Sequence, residues 1–367
     1  MKFTINRTDI LIALSYVSKA VLSKSTNPIL EGIYFSVEDN NLTLYATDLE
    51  MSVYTKVSVT ESENGSVVIP SRILMEIIRK LPSEQIIIYS EDDNKIKILS
   101  GESQITILTY NAENYPSLAI MESDGYITIE NEKLKRCIKE TIFAAASEEQ
   151  MPVLTGLLLE INQDSFQLTA LDGYRMAIRK EEITSDTKLS CIIPARVLNE
   201  MYKILNIENV KEIYIKYHEN KVHFKINNTI IISNLIDGSF IKYKDIIPKN
   251  SNLVVKVNAT DLLYACERAS LVAREGKNNL IKFHIEENKF NILSRSDIGS
   301  ADEVIESEIE GENIRISFNS KYFIDVLKNI SEEQIIMYFI DNLSPCVLKA
   351  ADNENMLHVI LPVRYKD

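Results

Sequence analysis

One pattern recurs three times along the 367 residues, and a chain so built must fold as three like units. The run Pro28-Ile-Leu-Glu-Gly32 returns as Pro152-Val-Leu-Thr-Gly156. Leu42-Thr-Leu-Tyr-Ala-Thr-Asp48 returns as Phe166-Gln-Leu-Thr-Ala-Leu-Asp172 and as Phe290-Asn-Ile-Leu-Ser-Arg-Ser-Asp297, which spaces the aspartates by 124 and 125 residues. Ile69-Pro-Ser-Arg72 returns as Ile193-Pro-Ala-Arg196 and as Phe318-Asn-Ser-Lys321. The period far exceeds the roughly 20 to 50 residues of solenoid repeats, so each copy is expected to be a domain with its own core. The expected domains are residues 1–121, 122–249 and 250–367.

Each copy reads as strand, helix, a string of strands, a second helix and more strands. Ile10, Leu11, Leu14, Val17 and Val21 fall at helical spacing and predict a helix over 7–24. Arg72 to Lys80 places Ile73, Leu74, Ile77 and Ile78 on one side after a Pro-Ser start, which suits a helix N-terminus. The six helical windows are 7–24, 71–80, 131–142, 195–205, 259–274 and 320–329. Gln85–Tyr89, Lys95–Leu99 and Gln104–Leu108 alternate or run apolar between polar turns and predict strands. The expected class is α+β: three tandem similar domains, each with two helices packed on antiparallel sheet. Three such domains in a row invite quasi-symmetric closure.

The formal charge is −13, which taken alone argues against a phosphate-bearing partner. The charge is unevenly spread. The six helical windows hold 16 Lys or Arg against 8 Asp or Glu, while the rest of the chain holds 24 against 45. Helices tolerate Lys and Arg well, and one basic helix needs no partner. Six with the same bias, in a chain otherwise acidic, point to a positive surface facing a polyanion.

Cys137, Cys191, Cys266 and Cys346 lie far apart with no CxxC pair, so neither a disulfide framework nor a zinc site is indicated and a reducing cytoplasm fits. Lys2, Arg7 and the apolar run from Ile10 to Val17 outline a short secretion signal. Asp9 breaks it, and the same pattern recurs deep in the chain at Lys133 to Ile142 and Asp261 to Val272. No apolar run reaches the roughly 18 residues of a membrane span. His218, His223, His284 and His358 are scattered, and no GxSxG, P-loop, HExxH or dinucleotide fingerprint occurs, so a catalyst is not expected.

The whole chain resembles the bacterial sliding clamp family, the beta subunits of the replicative DNA polymerase. The resemblance rests on Met1-Lys-Phe-Thr-Ile5, Asn27-Pro-Ile-Leu30, Ala46-Thr-Asp-Leu-Glu50, Ala170-Leu-Asp-Gly-Tyr-Arg175, Phe318-Asn319 and Leu361-Pro-Val-Arg364. It implies a head-to-tail homodimer closed as a ring, with helices lining the hole, sheets outside and duplex DNA threaded through. It implies no cofactor and no metal. DNA-facing candidates are Lys24, Arg72, Arg79, Lys80, Lys135, Lys139, Arg196, Lys203, Arg274 and Lys321, a sequence-blind phosphate track.

The second copy departs from its siblings at Asp172-Gly-Tyr-Arg175, where the others have Asp48-Leu-Glu-Met51 and Asp297-Ile-Gly-Ser300. Asp-Gly by itself signals a tight turn. In the family this segment joins the chain's end to form an apolar pocket for short peptides of the polymerase, the clamp loader and other partners. Carried over by position, the pocket comprises Leu154, Leu171, Gly173, Tyr174, Arg175, Met176, Ile241, Ile246, Asn319, Tyr322, Val359, Leu361, Pro362, Val363 and Arg364. Ile241 stands where the family commonly has proline, and Tyr365-Lys366-Asp367 extend past the usual end, so partner preference is left open. The resemblance also sets Ile105 and Ile107 against Leu271 and Val272 of a second copy. The rival reading is a repeat-built protein-binding scaffold without nucleic acid.

Overall fold

The computed structural model describes residues 1–92, 94–117, 126–147, 151–275, 279–287 and 289–364. The expected 121/122 boundary and the Tyr365–Asp367 extension lie outside the described residues. Six α-helices occur among them: α1 (Arg7–Val17), α2 (Ser71–Lys80), α3 (Asn131–Thr141), α4 (Ala195–Leu205), α5 (Ala259–Ala273) and α6 (Ser320–Asn329).

Two compact units divide the chain, Met1–Asn131 with Lys203–Leu235, and Glu132–Tyr202 with Ile236–Asp367. They cut across the middle copy, because each copy spends its strands on two sheets and not on the single sheet expected. In the first unit an eight-stranded sheet joins four strands of the first copy to Ile127–Glu130, Glu212–His218, Lys221–Ile226 and Thr229–Asn234 of the second. In the second unit a nine-stranded sheet joins the remaining strands of the second copy, ending at Arg175–Glu182, to Met356–Ile360 and four more strands of the third. A five-stranded sheet completes the first unit and a four-stranded sheet the second.

The repeat holds to the level of strand register. Gly32 lies opposite Pro70 and Gly156 opposite Pro194; the following pairs are Ile33 with Ile69, Leu157 with Ile193, and, in the third copy, Ile281 with Phe318. A Cβ on Gly32 would stand 2.5 Å from a Val68 methyl, and one on Gly156 2.7 Å from an Ile192 methyl. Glycine recurs because the neighbouring strand leaves it no room.

Helices begin where asparagine offers an acceptor: the side chains of Asn6, Asn258 and Asn319 take the N–H of Thr8, Thr260 and Lys321. Each such cap contributes about 1 kcal/mol. The third copy's core is built on Phe283, Phe290, Phe318 and Phe323, with ring centroids 4.8 to 5.3 Å apart. Aromatic pairs at such spacing add about 0.5–1.5 kcal/mol each beyond their buried area.

Two helical expectations are corrected. α1 stops at Val17, followed by a 3-10 turn over Ser18–Ala20 and an extended Val21. The polar run after it competes for the backbone: Ser18 Oγ donates to Ser15 O, Ser25 Oγ accepts the Asn27 N–H, and Asn27 caps the turn at Pro28–Glu31. In α2 the buried side is Ser71, Leu74 and Ile78, while Ile73 is exposed. With these boundaries the helices carry 13 Lys or Arg against 8 Asp or Glu, a smaller bias than the wider windows gave but of the same sign.

Candidate functional site

Strand Ser165–Leu171 turns back into Arg175–Glu182 through a hairpin shaped by one carboxylate. Asp172 Oδ1 accepts the N–H groups of Tyr174 at 2.9 Å and Arg175 at 3.0 Å, with Gly173 at φ +88°. The first copy builds the same turn, with Asp48 Oδ1 accepting from Glu50 at 3.0 Å and Met51 at 2.7 Å and Leu49 at φ +76°. Glycine is therefore not what sets the second copy apart. The side chains after it are.

Tyr174 is 60% exposed and stacks on Tyr322 of α6. The next residue, Arg175, is buried and fully engaged. Its Nε donates to Asp172 Oδ2 at 3.0 Å, Nη1 to Asp325 Oδ2 at 2.6 Å and Nη2 to the Phe143 carbonyl at 2.6 Å. Its guanidinium lies 4.9 Å from the Tyr322 ring centroid and 5.4 Å from that of Phe143. A planar fork with every edge occupied is a brace between second-copy and third-copy segments, not a free hand for a ligand carboxylate.

The last described residues lie against this brace. Leu361 N–H donates to Tyr174 O at 2.9 Å and Val363 N–H to Ser317 O at 2.8 Å. Leu361, Pro362 and Val363 are half-buried and Arg364 is exposed. Leu154, Leu171, Met176 and Val359 belong to one buried cluster, on which Ile241 packs half-buried. Ile246 is 41% exposed, and Asn319 spends its side chain capping α6. Leu154, Leu171, Met176, Val359 and Ile241 thus meet in one cluster, and Tyr174, Arg175, Tyr322 and Leu361 in a second set of contacts.

Leu158, Ile178, Ile192, Val347 and Tyr243 share that cluster and were missed. A strand-register signal existed for two of them, since Leu158 and Ile178 flank Thr169 in one cross-strand row. Tyr243 donates its hydroxyl to Glu160 Oε2 and accepts from Gln167, and burial with that carboxylate pushes its pKa up to about 12.

A second polar cluster lies buried nearby in the chain. Arg179 Nη1 reaches Glu140 at 2.9 Å and Glu332 at 2.7 Å, while Nε reaches Glu181 at 3.0 Å, which also meets Arg136 at 3.2 Å. Burial raises the Glu140 pKa to about 7, opposed by Arg179 and assisted by Glu332. His358 is fully buried against Phe143, and burial, then Arg179, lowers its pKa to about 3. The four cysteines are buried free thiols, with Cys191 pushed up to about 12 by burial, so none is poised as a nucleophile. Among the described residues no three His, Cys, Asp or Glu side chains gather to hold a metal, and no helix is long and apolar enough to cross a membrane.

Of the DNA-facing candidates, Lys24, Arg72, Arg79, Lys80, Arg196, Lys203, Arg274 and Lys321 are exposed, and Lys135 and Lys139 half-buried. Lys24 lies beyond the shortened α1, and Arg274 is the C-cap of α5. Lys135 is paired with Glu132 at 2.8 Å, and Arg72 more loosely with Glu76 at 3.6 Å.

Ser103–Leu108 is an outer strand of the five-stranded sheet and Gly299–Ile305 an outer strand of the four-stranded one. Ile105 is half-buried, but Ile107 is already buried in its own unit, and strand alternation leaves Leu108 as the exposed apolar residue of that edge, at 68%. On α5, Leu271 is exposed and Val272 half-buried.

Three family descriptions match the chain in order: the DNA polymerase III beta subunit N-terminal domain over residues 1–119, its central domain over 128–242 and its C-terminal domain over 244–364. The beta sliding clamps of Staphylococcus epidermidis and Bacillus subtilis are each 33% identical, with 99% of this chain covered and 99% and 100% of theirs. The crystal structure of the Bacillus subtilis clamp superposes with a TM-score of 0.96 at 33% identity over the whole of both chains. A Pseudomonas aeruginosa sliding clamp bound to griselimycin superposes with a TM-score of 0.93 at 29% identity, again over both whole chains. The chain belongs to the DNA polymerase III beta subunit family, the beta sliding clamps.

Proposed function

We propose that two copies close head to tail around duplex DNA as a processivity factor, holding the replicative polymerase and other partners through short peptides seated beside Tyr174. The clamp acts in the cytoplasm and catalyses nothing itself; its three domains are residues 1–121, 122–249 and 250–367.

The observation that carries this reading is the way copies join. Within the first unit, Met51–Ser58 of the first copy pairs with Thr229–Asn234 of the second, setting Val53 opposite Ile231. Within the second unit, Arg175–Glu182 of the second copy pairs with Met356–Ile360 of the third, setting Ala177 opposite His358. The next members of these two series are Gly299–Ile305 and Ser103–Leu108, both sheet edges. Unpaired edges invite association, and pairing each of these two with a second copy covers both and closes the ring. Strand register makes Ala301 the counterpart of Val53 and Ala177, and Ile105 that of Ile231 and His358. Phe143, stacked on His358, occupies in the second copy the place of Leu271 in the third, which sets Leu271 beside Ile105 of the neighbouring copy.

The basic residues of the helices then serve as a loose, salt-sensitive track for phosphates, and topology keeps the ring on DNA. The apolar face around Leu171, Met176 and Val359 takes partner peptides, and griselimycin, the ligand of the Pseudomonas aeruginosa relative, is a ready probe of it. The test is loading onto a nicked circular duplex. The protein is expected to stay until the circle is cut and then to slide off; retention unchanged by linearisation rejects encirclement.

A further inference from the structure

The two joints within the chain share a second feature besides strand pairing, and it points to a residue pair at the joint between copies. The tenth residue of α1 is Tyr16, of α3 Glu140 and of α5 Arg268. At the first joint Tyr16, buried, hydrogen-bonds the carboxylate of Glu208, which lies three residues beyond the end of α4. At the second joint the tenth residue is Glu140, and the loop carboxylate is Glu332, three residues beyond the end of α6. Arg179 spans the two acids at 2.9 and 2.7 Å, and Ser331 Oγ donates to Glu140 Oε1 at 3.1 Å. In both joints the loop after the second helix of one copy brings a carboxylate to the tenth helical place of the copy before it, directly at Tyr16 and through Arg179 at Glu140.

Arg268 holds that place in the third copy. Its side chain remains 56% exposed although Nη2 is paired with Glu303 Oε2 at 2.6 Å. The matching loop follows α2 of the first copy: Ser83 stands third beyond the helix and Glu84 fourth. Ser83 is held by its N–H on Ser100 Oγ at 3.1 Å, and the Glu84 carbonyl accepts the Arg7 N–H at 2.6 Å, so the loop backbone is fixed while the Glu84 side chain is exposed. The signs also match. At the second joint a strand arginine stands between a helix acid and a loop acid; here a helix arginine with a strand acid beside it awaits a loop acid.

We infer that Arg268 of each protomer is bridged by Glu84 of a second copy of this chain, so that the guanidinium lies between Glu303 of its own chain and Glu84 of its neighbour. The inference rests on the ring proposed above and adds to it the residue pair that fixes the register of the closing joint. An ion pair flanked by an apolar contact of Leu271 with Ile105 is partly shielded from solvent, where close charge pairs couple more strongly than on open surface.

Sedimentation of Arg268→Ala, Glu84→Ala, the double variant and Leu271→Asp tests the pair and the ring separately. Both alanine positions are exposed, so folding is not at stake. Each single alanine is expected to weaken dimerisation by about five- to thirty-fold, with the double little worse than either. The exchanged pair Arg268→Glu with Glu84→Arg is expected to recover part of the loss. If Leu271→Asp is monomeric while both alanine variants dimerise like the parent, or their losses simply multiply in the double, the pair is overturned and the ring stands. If Leu271→Asp remains dimeric, the proposed ring itself fails.

Discussion

Tyr174 lies flat on Tyr322, ring centroids 5.9 Å apart and planes 19° from parallel, and the guanidinium of Arg175 sits 4.9 Å from the Tyr322 ring. The exposed and buried neighbours in this stack should separate function from stability. Tyr174→Ala removes a side chain that is mostly solvated and is expected to leave unfolding nearly unchanged while weakening griselimycin binding at least tenfold by calorimetry. Arg175→Ala strands Asp325 and the Phe143 carbonyl and is expected to cost about 3–5 kcal/mol in chemical denaturation, the range for breaking a buried ion pair. Equal destabilisation by the two changes would reject this division.

Leu49 carries φ +76° in the turn where the second copy has Gly173 at +88°. A non-glycine residue in the left-handed region bears about 1–2 kcal/mol of strain, part of which glycine returns as unfolded-chain entropy. Leu49→Gly is therefore expected to stabilise the protein by about 0.5–1 kcal/mol. Gly173→Leu, whose Cβ meets nothing within 4 Å, should cost a similar amount through strain alone. Thermal unfolding of both variants checks the pair, and a loss of stability in Leu49→Gly contradicts it.

Stability should depend on pH with two opposed limbs. Glu140 is raised from 4.5 to about 7 in the folded protein, so its contribution is full below pH 4.5 and is lost as pH rises through 7. His358 is lowered from 6.5 to about 3, so its contribution is full above pH 6.5 and is lost as pH falls toward 3. Neither ring nitrogen of His358 meets a hydrogen-bond partner among the described residues, so His358→Leu leaves no orphaned group. That variant is expected to flatten the acid limb, and Glu140→Gln the limb between pH 5 and 7. An acid limb unchanged in His358→Leu would show that other groups govern it.

Cysteines placed at Ile105 and Ala301 should cross-link two copies on mild oxidation, since directly opposed residues of an antiparallel pair lie about 4.5–5.5 Å apart at Cα. The four native thiols are buried and should not compete. Ile105 with Ser300 is the one-residue register control. Stronger linking by the control than by Ala301 would disprove the register carried over from Val53 and Ile231.

The sequence was most legible where the copies agree. The Pro28–Gly32 and Pro152–Gly156 runs, quoted as one repeat, form matching 3-10 turns, and three runs of strand residues from 85 to 108 form strands as expected. It was least legible where distant segments meet. The end of α1 depended on side chains of Ser18, Ser25 and Asn27 taking backbone partners, which periodicity does not encode. The bracing of Arg175 was not legible because its three partners, Asp172, Asp325 and Phe143, come from three separate stretches. The burial of Ile107 was not legible because an apolar strand edge does not announce which alternate residue faces its own core. Ile178 and Val347 were hidden because strands covered on both faces lose the alternation that reveals a site.

The two seams inside the chain are chemically unlike. One closes with hydroxyls, Thr55 on Thr229 at 2.9 Å and Tyr16 on Glu208, and the other with the Arg179 cluster. A protein assembled from look-alike parts risks joining the wrong ones while it folds. Setting the second seam's Glu140 against the first seam's Glu208 would bury two carboxylates without Arg179 between them, and setting Tyr16 there would leave Arg179 short of an acid. Misassembled chains therefore meet a desolvation cost that the correct order avoids. The native chain order is thus the one that gives each of these buried groups its partner.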